Sequence, residues 1–293
     1  MRPTAIGIGA QKCASSWAHS VLNAHPDVGV SDPKEVDFFS YHFDHGYQWY
    51  ERHFNCLDGY SVRCETSPSY LYDPRAPERA LAYDKNLKVV AILRDPIARA
   101  YSNHLHEVIK GHIEPQSFET GMLNNPAYIE QGQYHRHLKR WIDTFGPKQV
   151  LVLIAEDIGK DPERCAACLY DFIGVDSGFS SAVARERRNV SDLARSQTLR
   201  HVLRSGGNLL RRAGLEEQLV QLKSTGAVAG MLNANSVDIR KQIPPMLEST
   251  RQHLTEFFAP DLSDLPELLG RTSLPWPTWR AATAGQTRTP IAV

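Results

Sequence analysis

A lysine and two hydroxyls stand in a turn of small residues, Gln11-Lys12-Cys13-Ala14-Ser15-Ser16-Trp17, directly after the apolar run Ala5-Ile6-Gly7-Ile8-Gly9. A strand that breaks into such a turn and then into a helix aims backbone N–H groups and the positive helix end at one point, which is how phosphates are commonly held. Lys12, Ser15 and Ser16 would complete an anion cradle. The GxxxxGK[ST] pattern of a nucleotide-triphosphatase loop is not met, because no glycine precedes Lys12 and neither Ser nor Thr follows it. The same residues also fit an ordinary strand followed by a capped helix.

Arg94 ends a second apolar run, Lys88–Leu93, at the edge where open α/β sheets bind ligands, and Ser102 lies eight residues further on. An arginine grips a phosphate by a forked pair of hydrogen bonds and a serine adds one more, so a second phosphate site is implied. The plain alternative is a surface pair between Arg94 and Asp95. A carboxylate, Glu35, sits between the turn at Pro33-Lys34 and the rings of Phe38 and Phe39. Burial against those rings would raise its pKa toward that of a general base; a solvated Glu35 paired with Lys34 is the other reading.

The elements that must position these groups follow from periodicity. Residues 5–9 predict a first strand and Ser15–Ala24 a helix stopped by His25-Pro26. Lys88–Leu93 and Gln149–Ile154 predict buried parallel strands; a helix starts at Pro96, and another spans Tyr134–Phe145. Strands alternating with helices predict an α/β fold, an open parallel sheet flanked by helices. From Ser196 onward the pattern predicts helices without strands, a helical extension over 195–265 of a single domain spanning 1–280, with a flexible tail at 281–293.

Composition narrows the partners. The chain has 293 residues, 42% of them hydrophobic, with 33 basic and 33 acidic side chains, so no overall field recommends nucleic acid or an acidic membrane. Five scattered cysteines in a chain of this size suit a reducing compartment. Cys165 and Cys168 have CxxC spacing but continue an apolar helical pattern with Leu169, Phe172 and Ile173. With no charged-then-apolar leader and no run near the ~20 residues of a membrane span, a cytoplasmic protein without a transmembrane segment is expected.

In chain order, QKCASS, HPDV, KEVDFF, ETSPSYL and ILRDPIARAYSNHLH resemble the PAPS-dependent sulfotransferases, above all the heparan-sulfate type and related bacterial enzymes. The likeness covers residues 5 to about 175 and returns at Leu274-Pro275-Trp276-Pro277-Thr278-Trp279. It implies a P-loop-like fold and, as sulfuryl donor, 3′-phosphoadenosine 5′-phosphosulfate (PAPS), with no metal required. By that resemblance Gln11 to Trp17 form the phosphosulfate loop around Lys12, Ser15 and Ser16, and Arg94 and Ser102 hold the 3′-phosphate. Glu35 is then the general base, and His106 matches a histidine near the transferred group. Trp141 falls in a segment similar to one at the adenine pocket, although it also suits a helix core. Arg187 and Arg188 match a basic loop over the 3′-phosphate, with exposed helix-end arginines as the alternative.

Two departures stand out. Cys13 and Ala14 replace the usual glycines, which calls for ordinary φ/ψ there or a different loop. Thr66, in Glu65-Thr66-Ser67-Pro68, stands where the heparan type has a lysine, so a second active-site cation is missing. The implied reaction is in-line sulfuryl transfer to a hydroxyl or amine. Lys12 stabilises the leaving group, and the acceptor is a glycan, a glycolipid head group or a small hydroxylated metabolite. His42, His45, His53, His104 and Tyr41 are candidates for lining the acceptor pocket, or are scattered surface residues. A P-loop-type kinase and a non-catalytic nucleotide-binding scaffold of the same fold are the rival readings.

Overall fold

The computed structural model describes residues 1–186, 192–194, 236–238 and 243–284. Arg187 and Arg188 lie outside the described residues. The chain divides into two compact units, one of Met1–Asn103, Met122–Arg188 and Leu247–Val293, the other of His104–Gly121 and Asn189–Met246.

The first unit holds a five-stranded sheet of β1 (Ala5–Gly9), β2 (Val28–Val30), β3 (Val62–Thr66), β4 (Lys88–Leu93) and β5 (Val150–Ile154) in the order β2-β3-β1-β4-β5. Every pairing in it is parallel. From β1 the chain passes to the edge strand β2 and returns to β3 beside β1, then crosses to β4 and β5 on the other side. The loops after β1 and β4 therefore flank the point where such sheets take ligands, outside the carboxyl ends of the strands. Close approach of β1 and β3 needs Gly7, because a Cβ there would lie 2.9 Å from Thr66 Cγ2.

Flanking helices are α1 (Ser15–Ala24), α2 (Tyr47–Glu51), α3 (Ala76–Tyr83), α4 (Pro96–Lys110), α5 (Phe118–Asn124), α6 (Ala127–Glu130), α7 (Tyr134–Phe145), α8 (Ala155–Lys160), α9 (Pro162–Ile173), α10 (Glu248–Leu268) and α11 (Pro277–Thr283). Helices α1 and α7 bury stripes at helical spacing: Trp17, Ala18, Val21 and Leu22 on α1, and Tyr134, Leu138, Trp141 and Phe145 on α7. The CxxC pair falls on α9, with Cys165 half-buried and Cys168 exposed, both free thiols. Helix α10 packs on α7, where the Asp261 carboxylate accepts the N–H groups of His135 and Arg136, each at 3.0 Å, closing the amino end of α7.

The second unit contains an antiparallel pair, β6 (Asp192–Ala194) with β7 (Ser236–Asp238). Strand β7 corrects the expectation of helices alone beyond Ser196; three residues are too few to show a period in sequence. The helices expected near 196–224 lie outside the described residues. Among the described residues no helix is long and apolar enough to cross a membrane.

Candidate active site at the carboxyl edge of the sheet

The turn between β1 and α1 is tighter than its side chains suggest. Lys12 and Ala14 have φ of 66° and 68°, in the left-handed region. Ala14 thus keeps a conformation that glycine would adopt without penalty and accepts a cost of about 1–2 kcal/mol, so of the two alternatives the backbone at Ala14 is not the ordinary one. Cys13 is fully buried, with its Sγ 3.6 Å from the Gln11 carbonyl and 3.8 Å from Tyr134 Oη. Burial pushes its thiol up to about 11, so this cysteine packs the turn as a neutral group. Gln11, Lys12, Ser15 and Ser16 remain half-buried. Trp17 is buried, and its indole N–H donates to the Ala184 carbonyl at 2.9 Å.

At the end of β4, Asp95 is buried and occupied elsewhere, so the surface pair with Arg94 does not form. Its Oδ1 accepts the N–H groups of Ile97 at 3.1 Å and Ala98 at 3.0 Å, capping α4. The same carboxylate takes the Thr278 N–H and hydroxyl, both at 3.0 Å. Glu156 works beside it, accepting the Asp95 N–H at 3.0 Å and the Trp276 indole N–H at 2.8 Å. The Trp276 ring lies 5.7 Å from that of Tyr134, the residue against Cys13. The Trp-Pro-Thr segment is thus a brace for both loops, a role that its sequence alone did not disclose.

Arg94 is half-buried and has no hydrogen bond or ion pair among the described residues. Its charge reaches Cys13 across the two loops, helping to hold that thiol down against burial. Ser102 is half-buried two turns along α4. Trp141 is fully buried and stacked on Phe145 at 5.9 Å, as the core reading of this residue expects. His106 is half-buried and belongs to the second unit, as does His104, whose ring is buried against Phe118 and the Gln116 carbonyl.

Glu35 is not buried. Its side chain is 47% exposed and Oε1 takes the Lys34 ammonium at 2.9 Å, while Phe38 and Phe39 point into the core. A left-handed backbone, φ 66° at Glu35 and 54° at Asp37, turns the carboxylate away from the rings. What holds this loop is a carboxyl that sequence reasoning passed over, Glu65. Fully buried, Glu65 accepts the hydroxyls of Tyr50 at 2.8 Å, Tyr70 at 2.5 Å and Ser67 at 2.7 Å. The oxygens of Ser67 and Tyr70 in turn accept the N–H groups of Asp37 at 2.9 Å and Phe38 at 2.8 Å. This two-armed relay accounts for the spacing of Glu65, Ser67 and Tyr70 in ETSPSY. Burial, against three stabilising hydroxyls, pushes Glu65 up to about 7. Asp37 is also held above the usual carboxylate range, by burial and by the charge of Glu35, despite its bond from Ser69.

Beyond the loop, Trp49 gathers imidazoles: its ring lies 4.6 Å from that of His45, 4.7 Å from His53 and 5.6 Å from His42. His53 Nδ1 lies 3.3 Å from the Asp32 carbonyl, tying this cluster to the Glu35 loop. Exposed Tyr41 meets Tyr72 at 2.5 Å between hydroxyls. Four of the five residues considered for an acceptor pocket thus lie in this unit, and His104 does not.

Comparison with known proteins agrees with this architecture. Human heparan sulfate glucosamine 3-O-sulfotransferase 3B1 is 31% identical over 183 residues, 59% of this chain and 46% of that protein, so the chain spans less than half of its length. A solved sulfotransferase from Alicyclobacillus acidocaldarius superposes with a TM-score of 0.70 at 23% identity, covering 96% of this chain and 99% of that one. A mouse sulfotransferase complexed with PAP gives a TM-score of 0.52 at 13% identity over 93% and 90%. The family model described as the sulfotransferase domain matches residues 3–198, and the chain belongs to that family.

Proposed function

We propose that this chain moves the sulfuryl group of PAPS onto a hydroxyl or amine of an acceptor. The observation that carries this reading is a cation with hydroxyls after each of two neighbouring strands, half-buried in both cases: Lys12 with Ser15 and Ser16 after β1, and Arg94 with Ser102 after β4. A half-buried arginine whose adjacent carboxylate is committed elsewhere suits an anionic group, and two such sites suit a nucleotide with phosphate at both ends. PAPS, when bound, supplies a sulfuryl group on a phosphate and a separate 3′-phosphate. Lys12 and the loop hydroxyls hold the first end, Arg94 and Ser102 the second. Glu35 takes the proton of the acceptor hydroxyl or amine as the new S–O or S–N bond forms. Lys12 stabilises the electron pair left on the bridging oxygen as its bond to sulfur breaks. Exposure of Glu35 leaves it open to an acceptor, and the indole of Trp49 with its imidazoles offers a sugar ring an apolar face and hydrogen-bonding groups. A glycan, glycolipid head group or small hydroxylated metabolite fits this surface.

Calorimetric titration with the product nucleotide, 3′-phosphoadenosine 5′-phosphate (PAP), tests the donor half, with ATP as control. Wild type binds PAP without Mg²⁺, and Lys12→Ala and Arg94→Ala each weaken binding by about 1.5–3 kcal/mol. Binding of Mg-ATP in preference to PAP, or of neither, rejects the two-phosphate reading. Glu35→Gln is expected to lower kcat by about 10²–10⁴ without loss of PAP affinity, which a labelled-sulfate transfer assay beside the titration reads.

A further inference from the structure

The Lys34 ammonium lies 2.9 Å from Glu35 Oε1, 3.4 Å from Ser15 Oγ and 3.5 Å from Ser16 Oγ. Its three N–H groups thus face three oxygens from two loops, and the side chain is only 25% exposed. Among the described residues it is the one side chain hydrogen-bonded to the Glu35 carboxylate. That carboxylate projects from a left-handed residue and would otherwise be held by its backbone alone.

We propose that Lys34 is a positioning residue of the transfer: it tethers Glu35 to the anion-binding turn and passes its charge to the anion that enters there. The proposal rests on the donor reading above. An anion at Ser15 and Ser16 meets the negative charge of Glu35 close by, and the two repel. The ammonium between them offsets that repulsion, and as it turns toward the anion the Glu35 carboxylate is released to accept a proton. Lys34 thereby places a second cation beside the turn from β2, whereas Thr66 on β3 is uncharged and buried. A plain surface ion pair would do none of this and would contribute little.

The test is calorimetric titration of wild type, Lys34→Met, Lys34→Arg and the double variant Lys34→Met with Glu35→Gln. PAP is one ligand and adenosine 5′-phosphate, which lacks the 3′-phosphate, the other; thermal melts run alongside. Lys34→Met is expected to weaken both ligands by the same factor, about tenfold, because the ammonium serves the 5′ end. Lys34→Arg restores most of that loss, and the double variant recovers part of it because the repelling carboxylate is gone. Melting temperatures stay unchanged. Unaltered PAP affinity in Lys34→Met beside normal wild-type binding overturns the role of Lys34 and leaves the donor reading standing. A loss confined to PAP, or one that follows a lowered melting temperature and resists Lys34→Arg, also overturns it. Absence of PAP binding by wild type overturns both readings.

Discussion

The turn after β4 and the loop after β2 each hang from a buried carboxylate, Asp95 in one and Glu65 in the other, and the two differ in what they accept. Asp95 takes backbone N–H groups at the amino end of α4 and a distant strap at Thr278. Glu65 takes three hydroxyls in the interior of the protein and reaches the backbone of the Glu35 loop only through them. A helix end welcomes negative charge, whereas a nest of phenols and an alcohol tolerates it at a cost. The turn after β4 is therefore braced by hydrogen bonds from a helix end, and the Glu35 loop hangs from a group that titrates.

Removing the brace should have the largest effect. Asp95→Ala leaves the amino end of α4 and the Thr278 N–H without their acceptor, and a loss of about 3–5 kcal/mol is expected in urea unfolding. PAP affinity falls with it although Asp95 touches no ligand in the proposed site; intact affinity would break the comparison. The titrating side is probed by pH. Because the folded pKa of Glu65 lies near 7, above its ordinary 4.5, the folded protein binds this proton more tightly than the unfolded chain. Its contribution is full below the ordinary value and declines as pH rises through 7, by about 3 kcal/mol in all. Glu65→Gln should flatten that part of the stability profile and gain relative to wild type at pH 8; an unchanged slope would assign the profile to other groups. The smallest effect belongs to the turn itself. Ala14→Gly relieves the left-handed strain but frees the unfolded chain, so a net gain within about 1 kcal/mol is expected, with PAP affinity unmoved. A marked loss of affinity would show that the alanine side chain, and not the backbone, shapes the cradle.

Much of the scaffold was legible because its signals are local. Ser15–Ala24, Tyr134–Phe145 and Lys88–Leu93 match the structure to the residue, each bounded by a proline, a glycine or a charge. Strand β3 carries Arg63 and Glu65, which hide its apolar character, and β2 is three residues long, so neither stood out. Of the two readings of Glu35, buried against the rings or solvated and paired with Lys34, the second holds; spacing alone does not decide it, because adjacent aromatic rings suggest a shared pocket, whereas a left-handed residue sends its side chain elsewhere. Lys34 was read only as a neighbour of Glu35; its other partners lie 18 and 19 residues away, beyond what spacing reveals. The work of Glu65 is equally distributed, through Ser67 and Tyr70 to residues 37 and 38.

The strap at Thr278 also gives the molecule a timetable. Thr278 follows Asp95 by 183 residues. At roughly 5–20 residues per second of synthesis, about ten to forty seconds separate the making of the two partners. During that interval a growing chain can assemble β1 to β4 and cap α4 with Asp95, but Asp95 still lacks Thr278 and Glu156 still lacks Trp276. The strap that ties both loops is thus completed late in manufacture, after the sheet that carries it.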